Sequence, residues 1–331
     1  MADFVMCARA VRSGKFVSEP GASLYLEVPD GSDGLPAAPV PLPEHKVRRD
    51  VWIKRLRQAS VWGQDSRIPT KDRGDVLVFI HGYNNDQAVV MRRHRQLQRD
   101  LRSVGYLGAI VSFDWPSADM PLNYLEDRHD AKETALHLMR DGIYWLAKEQ
   151  TPDCTINVHL LGHSTGAFVI REAFDDADDA LLAQLSWIIS QVLFISGDVS
   201  AASMSADNPT SEAIYRHCVR FTNYSNRYDS VLKLSNAKRV GMSPRVGRDG
   251  LPLDVPAKAV NVDCSAYFER LSSDPALRQA DQQAEIGTFD HSWQIGNLAF
   301  TRDLFETLKG DLDRSVVPTR VAEGGSLFLK G

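Results

Sequence analysis

Between the apolar run Val158–Leu161 and a second apolar segment reaching Ile170 stands Gly162-His163-Ser164-Thr165-Gly166, a G-x-S-x-G motif with a strand-like stretch before it and a helix-like stretch after it. The two glycines have a mechanical task. The serine must sit on a sharp strand-to-helix turn, where a flanking side chain would collide with the neighbouring strand or helix. Such a turn lifts Ser164 Oγ clear of a sheet and aims the first N–H groups of the following helix at any anion that forms there. Few architectures can hold a turn of this kind, so the motif selects a layered α/β fold with the serine at a strand's carboxyl end.

The rest of the chain supplies that fold. Residues 3–11 and 23–28 read as strands parted by a turn at Ser18–Gly21, and residues 31–43, with four prolines and two glycines, as an irregular loop. Glu44–Gln58 has a modest helical face, and 59–73 reads as loop. From Asp75 the pattern becomes regular. Val76–Ile80 is a continuous apolar run, as in a parallel strand covered on both faces. A helix at 87–104, a strand at 109–113 and a long helix at 126–148 follow. Beyond the motif come strands at 191–195, 219–224 and, last, 259–262, with 236–258 an excursion and 293–308 a closing helix. The expected architecture is α/β, a mostly parallel central sheet with helices on both faces. It divides into an N-terminal extension of strands, Pro-rich loop and helix (1–74) packing on the core, a catalytic domain (75–310) and a C-terminal tail (311–331).

A serine hydroxyl needs a base to take its proton, and after an elbow the partners follow in the order serine, acid, histidine. Of nine histidines only His217 and His291 come after Ser164. His217 ends a helix-like stretch, whereas His291 lies in a loop between the expected last strand and last helix, so His291 is the expected base. The acid that orients it is expected on a loop after a late strand, which leaves Asp229 and Asp198. Asp229 is preferred because it stands one strand nearer His291 in sequence and precedes a helical segment. Either could instead cap a helix. Asp290 is too close in the chain to fold back on its neighbour's ring. Donors for an oxyanion, each worth about 3–4 kcal/mol, are expected from the backbone N–H groups of Thr165 and Tyr83, with Gly82 letting the loop approach. His81 and His163 are expected to pack rather than react.

The matching segments are Val78–Asn84, Ser112–Ser117, Leu160–Gly166 and Asn226–Leu232. In these the chain resembles the α/β-hydrolase superfamily, and within it the bacterial hydrolase family known as domain of unknown function 900, over about residues 75–300. The resemblance implies an α/β-hydrolase fold and a serine hydrolase with Ser164, Asp229 and His291 as triad. It does not choose among esterases, thioesterases and acyltransferases, because one scaffold hosts them all.

The expected activity is cleavage of carboxylic esters of short to medium acyl chains, with a small-molecule ester as partner and neither cofactor nor metal. The rival readings are an acyltransferase or thioesterase using the same residues, and a non-catalytic binding module of the same fold. The pocket is expected from Asn84 (with Asn85), Trp115, Met120, Tyr124 and Met204, on segments leaving the strands' carboxyl ends. A net charge of −5 shows no basic bias toward nucleic acid. Four cysteines far apart signal neither zinc nor a disulfide framework, and no segment has the ~18 apolar residues of a membrane span. With no basic, apolar leader at the N-terminus, the expected location is cytoplasmic. The sequence carries no signal of oligomeric state.

Overall fold

The computed structural model describes residues 2–30, 39–64, 71–117, 124–148, 155–178, 187–237 and 244–331. Twelve strands among them form one sheet: β1 (Asp3–Arg12), β2 (Lys15–Val28), β3 (Lys46–Val47), β4 (Val61–Gln64), β5 (Asp72–Ile80), β6 (Ala109–Asp114), β7 (Ile156–His163), β8 (Ile189–Ile195), β9 (Cys218–Ser225), β10 (Ala259–Asp263), β11 (Arg320–Glu323) and β12 (Ser326–Leu329). Their order is β11-β12-β10-β9-β8-β7-β5-β6-β1-β2-β3, with β4 paired to the start of β5. From β12 to β1 the neighbours run parallel, and β2, β3, β4 and β11 are antiparallel additions. This is the α/β-hydrolase architecture expected from the sequence.

Alternation along the strands builds two cores. Val76, Val78 and Ile80 of β5 face one cluster with Phe168 and Phe174, whereas Leu77 and Phe79 face the other with Leu97, Leu101 and Phe300. The first cluster lies under the helices Tyr124–His137 and Thr165–Asp178, the second under Gln87–Ser103 and Leu298–Lys309. Both faces of the parallel strands are therefore dry, which is why these strands read as unbroken apolar runs.

Several boundaries differ from the sequence expectation. Residues 15–28 form one strand, and the hairpin turns at Ser13-Gly14 (φ 50° and 74°), not at Ser18–Gly21. Two consecutive positive φ values match the twist of a two-residue hairpin better than the Pro-Gly pair could. The helix expected at 44–58 runs Arg49–Ser60, and the loop expected at 59–73 contains β4 and the start of β5. The long helix at 126–148 is Tyr124–His137 and Tyr144–Lys148 joined by a π-helical turn, Leu138–Ile143. The tail carries β11 and β12, so β10 is not the last strand. Val5 pairs with Ser112 inside the sheet, and β5 begins at Asp72. Among the described residues no helix is long and apolar enough to cross a membrane, and no group of His, Cys, Asp and Glu could hold a metal ion.

Candidate active site

Strand β7 ends at His163, and Ser164 adopts φ 56° before the helix beginning at Thr165. A non-glycine residue in the left-handed region is strained and persists only where its surroundings over-determine it. They do so here. Ser164 N–H donates to the Ile195 carbonyl (3.1 Å), and the Ser164 carbonyl accepts from Ala167 N–H (3.1 Å) and Asp198 N–H (3.0 Å). A Cβ on Gly162 would stand 2.8 Å from Ala167 N, and one on Gly166 would overlap the Ile80 carbonyl. The motif's glycines are thus forced by the closeness of helix and strand.

Ser164 Oγ lies 2.8 Å from His291 Nε2, and His291 Nδ1 lies 2.7 Å from Asp229 Oδ2. Ser164 and His291 are each 7% exposed and Asp229 is fully buried. The chain order expected from sequence therefore brings these three together across β7, β9 and the short helix Phe289–Ser292 that carries His291. Asp229 makes both contacts: Oδ2 lies on the imidazole, and Oδ1 accepts the Leu232 N–H (2.9 Å) at the start of the helix Ser230–Ala237. Asp290 supplies a further cap to that helix through Ser230 N–H (2.9 Å). Asp198 instead pairs with buried Arg245 (3.2 Å), and His217 stacks on Trp187 at 4.1 Å between ring centroids.

Opposite the serine runs the loop after β5. A Cβ on Gly82 would stand 2.7 Å from Ser164 Cβ, so this glycine is where the loop touches Ser164. The buried Asn85 carboxamide donates to the Gly82 carbonyl (2.7 Å) and the Tyr83 carbonyl (2.9 Å). In a trans peptide the N–H points opposite to the carbonyl, so this grip fixes the direction of the Tyr83 N–H. Thr165 N–H, first in its helix, has no intrahelical acceptor. The loop is braced in turn by buried Arg9 of β1, which donates to the Asn85 carbonyl (3.0 Å) and to Asp114 at the end of β6 (2.8 Å). Burial alone would raise the Asp114 carboxyl, but the Arg9 guanidinium beside it holds it well below the ordinary range.

His81 is fully buried, and burial lowers its pKa. Its Nδ1 contacts the Gly82 carbonyl (2.8 Å), which only accepts, so Nδ1 carries the proton and Nε2 accepts from Trp115 N–H (3.1 Å). His163 touches His291 from behind, through the main-chain carbonyl at 3.1 Å from its Nε2. Both histidines are structural, as the sequence suggests, although His163 stands nearer the site than a packing role implies.

The expected pocket fares differently. Trp115 is fully buried. Its indole N–H donates to the His81 carbonyl (2.7 Å) and its ring stacks on His81, so it supports the loop from within and offers no wall to a substrate. Met204 is also fully buried, its carbonyl holding the Tyr215 hydroxyl (2.7 Å). Asn85 turns inward to its own loop, whereas Asn84 is exposed with φ 54°. Met120 and the side chain of Tyr124 lie outside the described residues. A cavity of about 290 Å³ bordered by Trp62, Asp75, Tyr106 and Asn157 opens at the amino ends of β5 and β7, away from Ser164. Arg9, Asp114 and Arg93 escaped the sequence reading, and Asn85 was expected to face substrate, not its own loop. Only Arg93 left a trace, a charge at the apolar spacing of its helix, three residues after Val90 and four before Leu97.

Residues 60–249 match the family described as alpha/beta hydrolase of unknown function (DUF900). No curated protein matches. Among solved structures, similarity extends to esterases from the fungus Rhizomucor miehei (12% identity, 91% of this chain and 83% of that one, TM-score 0.38). A dienelactone hydrolase from Anabaena variabilis is also similar (16%, 63% and 83%, TM-score 0.34), as is acyl-protein thioesterase 2 of Zea mays (13%, 58% and 85%, TM-score 0.33).

Proposed function

The chain belongs to this family of alpha/beta hydrolases, and on that premise we propose that it is a serine hydrolase cleaving carboxylic esters of short to medium acyl chains through an acyl-enzyme on Ser164. The observation that carries the reading is the hydrogen-bonded chain from Ser164 Oγ through His291 to Asp229, at 2.8 and 2.7 Å. Ser164 Oγ attacks the acyl carbon while His291 Nε2 takes its proton. The oxyanion is held by the N–H groups of Thr165 and Tyr83. The acyl–oxygen bond then breaks, and the alcohol leaves with the proton from His291. Water attacks the acyl-serine, His291 takes a proton from it and returns one to Ser164, and the carboxylic acid departs. Asp229 keeps Nδ1 protonated and stabilises the imidazolium at both stages. Neither cofactor nor metal enters these steps. Asn84, exposed beside the oxyanion loop, is the side chain best placed to orient the ester.

A fluorophosphonate probe and a p-nitrophenyl ester series from acetate to palmitate test this. The wild type should be labelled and prefer short to medium chains. Ser164→Ala should fold, escape labelling and lose at least about 10³-fold in kcat. Labelling of Ser164→Ala, or a palmitate optimum, would overturn the reading.

A further inference from the structure

Arg93, in the middle of the helix Gln87–Ser103, is 3% exposed, yet no carboxylate among the described residues forms an ion pair with it. Burial, and then neighbouring Arg92, push its pKa down to about 10, and its Nε has no hydrogen-bond partner. A buried cation without a counter-ion is costly and is retained only where its donors have specific work. Its remaining donors converge on one place. Nη1 lies 2.9 Å from His163 Nδ1, and Nη2 donates to the Ile286 carbonyl (3.0 Å) and to Ser292 Oγ (3.1 Å). Ile286 and Ser292 bracket the segment that carries His291, and His163 precedes the nucleophile.

We propose that Arg93 is a positioning residue that acts through His163 to lock the base-bearing segment onto the elbow. The proposal rests on Ser164 and His291 being nucleophile and base. A guanidinium has donors and no acceptor, so the His163 Nδ1 it contacts is a lone pair and the His163 proton sits on Nε2. That N–H donates to the His291 carbonyl at 3.1 Å. Two adjacent residues of the elbow thereby hold two ends of one histidine: His163 holds its main chain, Ser164 its ring at 2.8 Å. The closed circuit sets the Oγ–Nε2 distance without help from substrate. An arginine suits the role better than an amide would, because an amide can turn round, present its oxygen and let His163 change tautomer. The arrangement also keeps His163, whose ring centroid is 5.0 Å from that of His291, from competing for the proton. Consistently, burial, Arg93 and His291 together push His163 well below its ordinary pKa.

Three measurements on the full chain test this: ¹⁵N-imidazole NMR of His163, amide hydrogen exchange over 287–292, and fluorophosphonate labelling with p-nitrophenyl butyrate kinetics, in the wild type, Arg93→Met and Arg93→Lys. The wild type should show His163 as the Nε2–H tautomer. Arg93→Met should exchange 287–292 at least tenfold faster while β7 and β8 keep their protection, and its kcat should fall at least tenfold at unchanged KM. Arg93→Lys, which keeps the charge and fewer donors, should fall between, and it decides the matter if Arg93→Met does not fold. An Nδ1–H tautomer in the wild type, or wild-type exchange over 287–292 in the variants, would overturn the proposal. So would wild-type turnover in them. Should the wild type escape labelling altogether, the esterase reading fails, whereas tautomer and exchange still decide whether Arg93 holds the segment.

Discussion

Asp229 uses its two oxygens for two tasks, orienting an imidazole and capping a helix, and this division makes its substitution informative. In Asp229→Asn the remaining carbonyl oxygen can still accept Leu232 N–H, but the amide would donate toward Nδ1 and favour the wrong tautomer. We expect Tm to move little and kcat to fall by about 10⁴, measured by thermal scan and ester hydrolysis. Asp198→Asn should do the reverse. It leaves buried Arg245 without its carboxylate, which costs about 3–5 kcal/mol of stability, while activity well below Tm persists. Activity lost in Asp198→Asn with Tm intact would exchange the two roles. At this scale the meeting of Ser164, His291 and Asp229 was legible because an elbow chemistry would impose that order along the chain. The pocket was not. Position on a loop after a strand says nothing about which way a side chain turns, and Trp115 and Met204 turn into the core.

The loop after β5 shows how elements distant in sequence share one task. Its shape depends on Asn85 within it, on Trp115 and Asp114 at the end of β6, and on Arg9 of β1. Asn85→Leu should fold and lose about tenfold or more in kcat with KM little changed, because the Tyr83 peptide loses its hold. An unchanged kcat would remove this loop from the oxyanion site. Gly82→Ala should cost as much, since its Cβ would press on Ser164. The Asp114 carboxyl titrates below its unfolded value, so it contributes stability that is fully present above about pH 4, where the unfolded group ionises, and is lost as pH falls through the depressed folded value. In acid titrations followed by circular dichroism, Asp114→Asn should therefore lose less stability below pH ~4 than the wild type does. None of this bracing could be read beforehand. It is made by side chains up to 105 residues apart, and no local periodicity records such a meeting.

The sheet is continuous from the second residue of the described chain nearly to the last. Its middle was legible because buried parallel strands are long apolar runs. Its edges were not, because β3 is only two residues long and β11 and β12 are short and ordinary in composition. The far edge is fastened by Arg320, buried with Asp303 at 2.7 and 2.8 Å beside Tyr224 of β9. Arg320→Met strands that carboxylate and should lower stability by about 3–5 kcal/mol, read as a reduced denaturation midpoint. Deleting 311–331 should abolish cooperative unfolding; a truncated chain with a wild-type midpoint would show the tail to be an appendage. Asp303 lies on the closing helix and Arg320 on the strand β11, so one buried ion pair clasps the two ends of the stretch 303–320. A protease cut between them should leave the two fragments held together until denaturant parts them.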